Sequence, residues 1–141
     1  MGKINMGRVI LGGLLAGVVI NIAEFVLNGI VLRKDWDDAM RSLNKPAIGG
    51  QAIAVFVGLG FLTGIVLVWV YAAIRPRFGP GPKTALYAGL LVWVLTSLFS
   101  VIGQSPAGIF PARLMLIGLV WGLIETPIAS VAGAWLYKED A

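Results

Sequence analysis

The sequence contains no cysteine and no histidine, and it has little charge of either sign. Without these side chains it cannot form disulfides, thiol redox sites, His-ligated haem or the usual zinc sites. Charged residues make up 13% of the chain, against about 25% in soluble domains, and 58% of the residues are hydrophobic. Two long stretches, 46–74 and 84–112, contain no charge at all. Because about 20 apolar residues span a bilayer, a soluble globular protein is excluded and an integral membrane protein is predicted.

Hydropathy and the charges that bound each apolar run predict an all-α transmembrane four-helix bundle with short loops. The bundle is a single membrane domain over residues 1–141. We expect the first apolar segment to be a retained span rather than a cleaved signal peptide, because it is too long and runs into Glu24. The four predicted spans cover about 8–32, 47–74, 84–103 and 112–137.

A short amphipathic segment follows the first predicted span. Trp36, Met40 and Leu43 are spaced to lie on one face of a helix, which predicts an interfacial helix there. The alternative is a solvated loop in which Trp36 alone anchors at headgroup depth.

The distribution of Lys and Arg predicts the cytoplasmic (inner) membrane as location, with both termini in the cytoplasm. Six of these residues fall on the side of the termini and five on the other side.

The loop before the third span is rich in Pro and Gly, and Thr84 is expected to cap that span. Three basic residues of this loop are expected to contact lipid headgroups: Arg75, Arg77 and Lys83.

Small residues recur every three or four positions along the spans. Such spacing lets helices approach closely in lipid, where dispersion and interhelical hydrogen bonds drive association. In the fourth span, Pro127 is expected to produce a kink. The glycines predicted to pack the helices together are Gly13, Gly17, Gly60, Gly64, Gly89, Gly118 and Gly122.

Two glutamates, Glu24 and Glu125, lie deep inside the predicted spans. At about 1.5 Å per residue, counted from Arg8 and Arg113, both carboxyls come near the middle of the bilayer, within roughly one helical turn of each other. Because no Lys or Arg within the spans neutralises them, at least one is expected to hold a proton. Four residues are expected to donate hydrogen bonds to the pair: Asn21, Asn28, Thr96 and Thr126.

The first function that this pair suggests is proton- or cation-coupled transport of a small-molecule or ion substrate. Trp93, Trp121 and Phe25 would then line the substrate site by cation–π contact. Small four-span multidrug transporters resemble the chain in size and in carrying a glutamate in the first span, without a shared motif around Glu24. Since one chain leaves little room for a substrate path, transport implies a homodimer in the lipid bilayer.

The alternative is a structural or accessory membrane subunit without transport or catalytic activity. In that case protonated glutamates hold helices together by hydrogen bonds. An enzyme that acts on lipid is the least favoured function, because the chain has no His, no Cys and no Asp-rich metal motif. We therefore predict no catalytic residue, no metal, no cofactor and no nucleic-acid partner.

Over its whole length the chain resembles a family of small uncharacterised bacterial four-span integral membrane proteins. The shared features are the four hydrophobic spans, Trp36 just after the first span, and the glycine-rich segment 79–89 at the start of the third. None of these is a catalytic motif. The resemblance therefore implies a location and a topology, and it implies no activity.

Overall fold

The computed structural model describes residues 3–139, and over that range it contains helices and no strand. Four of the helices are long and apolar enough to cross a membrane. The predicted all-α four-helix bundle is confirmed, and the composition of these helices identifies a membrane protein. The first to fourth spans are Met6–Val31, Gly50–Phe78, Pro82–Ala107 and Ala112–Leu136.

The connection between the second and third spans differs from the prediction. The second span continues through Pro76 to Phe78 and ends at Gly79, whose φ of 85° lies in the left-handed region. The third span begins at Pro82, because a proline is already set for the first helical turn. Thr84 is therefore not the cap, and its hydroxyl instead donates to the Gly79 carbonyl at 2.7 Å.

The helices pack tightly in the half of the bundle where the first span begins and the fourth span ends. The first span packs chiefly against the second and the fourth, and the third packs against the fourth. The core here contains Val9, Ala16, Leu67, Val68, Ala85, Ala88 and Ala129, each fully buried. We call this part, residues 6–20, 60–78, 82–92 and 126–136, the closed half.

Two tyrosines lie at the end of the closed half, where the first span begins and the fourth span ends. The Tyr71 and Tyr137 rings meet edge to face with centroids 5.9 Å apart. The Tyr71 hydroxyl accepts a hydrogen bond from the Gly81 N–H, and the Tyr137 hydroxyl accepts one from the Asn5 N–H. These bonds connect the loop and the N-terminal segment to the ends of the second and fourth spans.

Fewer residues are buried in the other half, which we call the open half. Among the described residues of the second span, none before Gly60 is buried. In the third span, none of the described residues after Val92 is buried. The second and third spans are therefore buried at one end of the bundle only, whereas the first and fourth also share a smaller core at the other end.

The first and third spans change helical geometry as they enter the open half. Each contains a π-helical segment, Phe25–Val31 in the first span and Val94–Leu98 in the third. The Leu32 N–H, for example, bonds to the Leu27 carbonyl five residues earlier at 2.7 Å. Segments of this kind are rare and are frequently found at functional sites.

The short helix predicted after the first span is present at Arg33–Ser42. Its Trp36 ring packs edge-on against Phe110, with centroids 5.6 Å apart. Ala39 is buried in a second, smaller core with Leu114. This helix therefore packs onto the open half of the first and fourth spans.

Candidate functional site

A cavity of about 260 Å³ lies in the open half, between the first, third and fourth spans and the short helix. The first span contributes Glu24 and Asn28, and the third contributes three hydroxyl side chains. Several lining residues are exposed, so the cavity opens to the surroundings of the bundle. It is lined by Glu24, Asn28, Trp36, Thr96, Ser97, Ser100, Val101, Leu114, Met115, Gly118 and Leu119.

A chain of hydrogen bonds runs along one wall of this cavity. The Trp36 indole N–H donates to Asn28 Oδ1 at 2.8 Å. The Asn28 amide then donates to Glu24 Oε2 at 2.6 Å. The π-helical segment begins just after Glu24, and within it Asn28 faces both the glutamate and the short helix. The amide thus orients the Glu24 carboxyl inside the cavity.

Glu125 lies behind Glu24, at the middle of the fourth span. It is only 7% exposed, and its carboxyl is close enough to interact directly with that of Glu24. Its Oε2 atom is buried and receives no hydrogen bond from any residue that the structure describes. Trp121, one turn earlier, lies beside it, but its indole N–H makes no hydrogen bond of acceptable geometry. The inner carboxyl therefore has spare capacity to accept a proton or a cation.

No basic side chain between residues 3 and 139 pairs with these two glutamates. Arg113, at the start of the fourth span, forms an ion pair with Asp35 of the short helix at 2.5 Å. Lys34 and Arg41 both pair with Asp38. The cavity and the carboxyl behind it are therefore acidic, without an internal counter-ion.

The structure brings the two predicted glutamates together but does not enclose both. Glu24 is exposed to the cavity, whereas we expected it to face the interior. Glu24 lines the open cavity together with third-span residues beyond Val92, none of which is buried. The pair thus has an accessible outer carboxyl and a buried inner one.

Of the four residues expected to donate hydrogen bonds to the glutamates, Asn28 does so and two others bond elsewhere. The Asn21 amide donates to the carbonyls of Gly17 and Val57, at 2.9 and 3.2 Å, and faces the second span. The Thr96 hydroxyl donates to the Val92 carbonyl one turn earlier, although Thr96 does line the cavity. Thr126 is buried next to Glu125 in the chain.

Most of the predicted packing glycines lie where two helices approach closely. A Cβ atom on Gly13 would lie 2.5 Å from Ile65 Cα, and one on Gly17 would lie 2.8 Å from Phe61 Cα. The same holds for Gly60 against Asn21, Gly64 against Gly17, Gly89 against Pro127 and Gly122 against Trp93.

Gly118 is the exception among these glycines. A Cβ atom there would meet nothing within 4 Å, and the residue lines the cavity instead of packing against a helix. Its position in the open half explains the difference. Conversely, the prediction missed Gly12 and Gly133, where the first and fourth spans approach backbone to backbone. Gly133 extends the fourth-span stripe by one step of four beyond Ala129, so a signal for it was present in the sequence.

The aromatic residues expected to line a substrate site are placed differently. The Trp93 indole N–H donates to the Leu119 carbonyl at 3.0 Å and so joins the third span to the fourth. Phe25 is 65% exposed and points out of the bundle. Trp36 borders the cavity in their place. The fourth span is helical through Pro127, and the predicted kink remains a prediction.

The three loop cations also differ from one another. Arg75 is not free for a headgroup, because it pairs with Glu139 at 2.9 Å and lies over the Tyr137 ring. Lys83 lies over the Tyr87 ring at 5.9 Å, and Arg77 is exposed. Headgroup contact therefore remains a prediction for Arg77 and Lys83.

Across the described part of the chain, no three His, Cys, Asp or Glu residues form a group that could hold a metal ion.

No protein-family model, no curated protein and no solved structure matches the chain. The resemblance to small bacterial membrane proteins therefore remains a prediction, and the case for a function rests on the geometry of the cavity and its two carboxyls.

Proposed function

We propose that this membrane protein is a proton- or cation-coupled transporter of a small substrate. The observation that carries the proposal is the pair of carboxyls without a counter-ion, one accessible from a cavity and the other buried directly behind it. Ionisable residues at membrane depth are costly, so they commonly mark ion pathways and proton relays.

The chemistry follows from the electrostatics of the pair. Two adjacent carboxyls in a low-dielectric setting cannot both ionise cheaply, so they retain a proton. A cation that enters the cavity and approaches Glu24 compensates one negative charge and displaces that proton. Proton and cation then compete for the same carboxyls, which is the coupling that an exchanger requires.

Transport also requires that the site open toward the other side of the membrane. The closed half blocks this direction, because its helices pack backbone to backbone and Ser130 donates to the Ala85 carbonyl across them. Glu125 lies at the boundary of the two halves. Pro127 follows it closely and lacks an N–H, so the Leu123 carbonyl loses its helical partner. This weakened turn is a place where the fourth span can bend.

The proposal includes the cytoplasmic membrane as location, with both termini in the cytoplasm and two copies of the chain as the working unit. The Lys and Arg count supports the orientation. The unpacked first part of the second span supports a homodimer, since Gly50 and Gly58 have open space around them in one chain.

The test uses protein reconstituted in vesicles that contain a pH-sensitive dye. Gradients of candidate substrates, including amines, organic acids and sugars, are imposed across the membrane. We expect at least one substrate to change the internal pH with the wild-type protein, and we expect Glu24→Gln and Glu125→Gln to abolish the change.

Glu139→Gln provides the matched control, because it removes a carboxylate far along the chain from the cavity residues, where Glu139 pairs with Arg75 of the closed half. This variant should keep the wild-type response. If the wild-type protein gives no pH change with any substrate of the panel, the proposal fails.

The second candidate is a structural role, and a different observation supports it. The chain from Trp36 through Asn28 to Glu24 ties the short helix to the first span. If the glutamates serve to hold the bundle, Glu125→Met should lower the melting temperature in detergent. If they serve transport, this variant should abolish flux without loss of stability. The substitution removes a buried carboxyl oxygen that has no hydrogen-bond partner, and such an atom costs about 1–3 kcal/mol.

A further inference from the structure

We propose that the cavity binds a small organic cation, namely a primary ammonium group that carries a short apolar substituent. The inference rests on the proposed function and names its substrate class. It comes from the charge, the two-sided lining and the size of the cavity.

The charge of the site favours a cation. Glu24 is exposed at the cavity wall, and Glu125 lies behind it with an unpartnered, buried oxygen. The nearest basic residue of the fourth span, Arg113, is occupied by Asp35. An anion would therefore meet uncompensated negative charge, whereas a cation would supply the missing counter-ion.

The lining divides into a polar and an apolar wall. Ser97 and Ser100 of the third span stand with Glu24 on the polar side, and hydroxyl and carboxylate oxygens accept hydrogen bonds from the three N–H groups of a primary ammonium. Leu114 and Met115 of the fourth span provide an apolar wall. The Trp36 ring borders the same space and offers cation–π attraction.

The size of the cavity suits a small ligand. Its volume of about 260 Å³ lies below the range of about 300–1,000 Å³ typical of pockets for drug-sized ligands. A single small ring or a short alkyl chain with one amine fits this space. On binding, the ammonium nitrogen keeps its three protons, and the proton that the carboxyl pair retains passes to the solvent.

Three probes of nearly equal shape and different charge test the inference: benzylammonium, benzyl alcohol and benzoate. Each is titrated calorimetrically into the full-length protein in lipid nanodiscs. We expect benzylammonium to bind about tenfold or more tightly than the other two. Glu24→Gln should weaken benzylammonium binding by about tenfold, and Glu139→Gln should leave it unchanged.

Equal binding of the three probes by the wild-type protein would overturn the inference, even if Glu24→Gln failed to fold. Equal binding of benzylammonium by wild type and Glu24→Gln would overturn it as well. Proton release, measured by titration in two buffers of different ionisation enthalpy, separates the two proposals. Cation-selective binding without proton release supports the binding site and contradicts coupling. Substrate-driven proton flux in vesicles, without benzylammonium binding, supports coupling and rejects this ligand class.

Discussion

The closed and open halves of the bundle are parts of the same four apolar helices, yet they differ in how near those helices come to one another. In the closed half, glycine allows the backbones to touch, as at Gly64 against Gly13 and Gly17. In the open half, Gly58 and Gly118 have nothing within 4 Å of a Cβ position. Glycine content therefore does not determine packing, and what matters is whether the glycine lies at the level where a neighbouring helix comes close.

The difference also separates stability from chemistry. The closed half contains the main apolar core and Ser130, whose hydroxyl is satisfied by a carbonyl at 2.7 Å. The open half contains the cavity, the accessible carboxyl of Glu24 and both π-helical segments. The tightly packed closed half thus supports the open half, in which polar groups remain available to a ligand.

The largest expected difference between the halves is in chemical accessibility. Because the chain has no cysteine, Ser100→Cys and Ser130→Cys each introduce a unique thiol. Ser100 lines the cavity, whereas Ser130 is fully buried. We expect a water-soluble thiol reagent to label Ser100→Cys about 100-fold faster, since exposure of Ser130 requires a local opening that costs about 3 kcal/mol or more.

The rates are measured by mass spectrometry on protein in vesicles opened to both sides. A cationic reagent should also react faster than an anionic one at Ser100→Cys, because of the nearby Glu24. Equal labelling of the two positions would mean that the cavity is not open in the membrane.

A single methyl group should distinguish the two halves of the second span. Gly64→Ala places a Cβ atom 2.5 Å from the Gly17 nitrogen, and overpacking of this kind costs about 1–3 kcal/mol. Gly58→Ala makes the same change on the same helix, at a position without neighbours. In detergent that separates the copies of the chain, we expect the first variant to lower the melting temperature by several degrees and the second to leave it nearly unchanged.

The division of the bundle into a closed and an open half is supported only if the two variants differ in melting temperature. If both lowered the melting temperature equally, the second span would be packed along its whole length, against a second copy of the chain in the open half.

The smallest effect is expected at the exposed ion pair of the short helix. Asp38 accepts a hydrogen bond from Lys34 at 2.9 Å, and this bond, together with the positive charge, lowers the pKa of Asp38 below its usual 3.8. Its contribution is therefore present at neutral pH and is lost as the pH falls through that lowered pKa. Asp38→Asn should change the melting temperature by less than about 2 °C at pH 7.

The same comparison is repeated at pH 3 and below, where the difference should shrink further. The pKa of Lys34 is raised by the same contact, so the lysine stays charged over this range. A large loss of stability in Asp38→Asn would show that this helix anchors the open half more firmly than its exposure indicates.

The lengths of the apolar runs were sufficient to predict the spans, because the thickness of the hydrocarbon layer sets a minimum length for each spanning helix. The spacing of Trp36, Met40 and Leu43 likewise predicted the short helix Arg33–Ser42. The proximity of the two glutamates followed from depth alone, since helix rise is nearly constant. These inferences depend on local geometry, which a sequence carries directly.

The surroundings of the glutamates depend on properties that local periodicity does not encode. A regular helix would place Asn21 and Asn28 on nearly the same face, seven residues apart. The structure instead directs Asn21 to the second span and Asn28 to the cavity, with the π-helical segment between Glu24 and the short helix. The exposure of Glu24 at a cavity between three spans is likewise a tertiary property.

The π-helical segment Phe25–Val31 has a consequence for how this site can change during evolution. One residue corresponds to about 100° of rotation around a helix, so the loss of a single codon within the segment would turn everything that follows it, Trp36 included. The hydrogen-bonded chain from Trp36 through Asn28 to Glu24 thus depends on the length of this segment as well as on its residue types. An insertion or deletion of one residue would turn Trp36 to another face and break the chain without replacing Trp36 or Glu24.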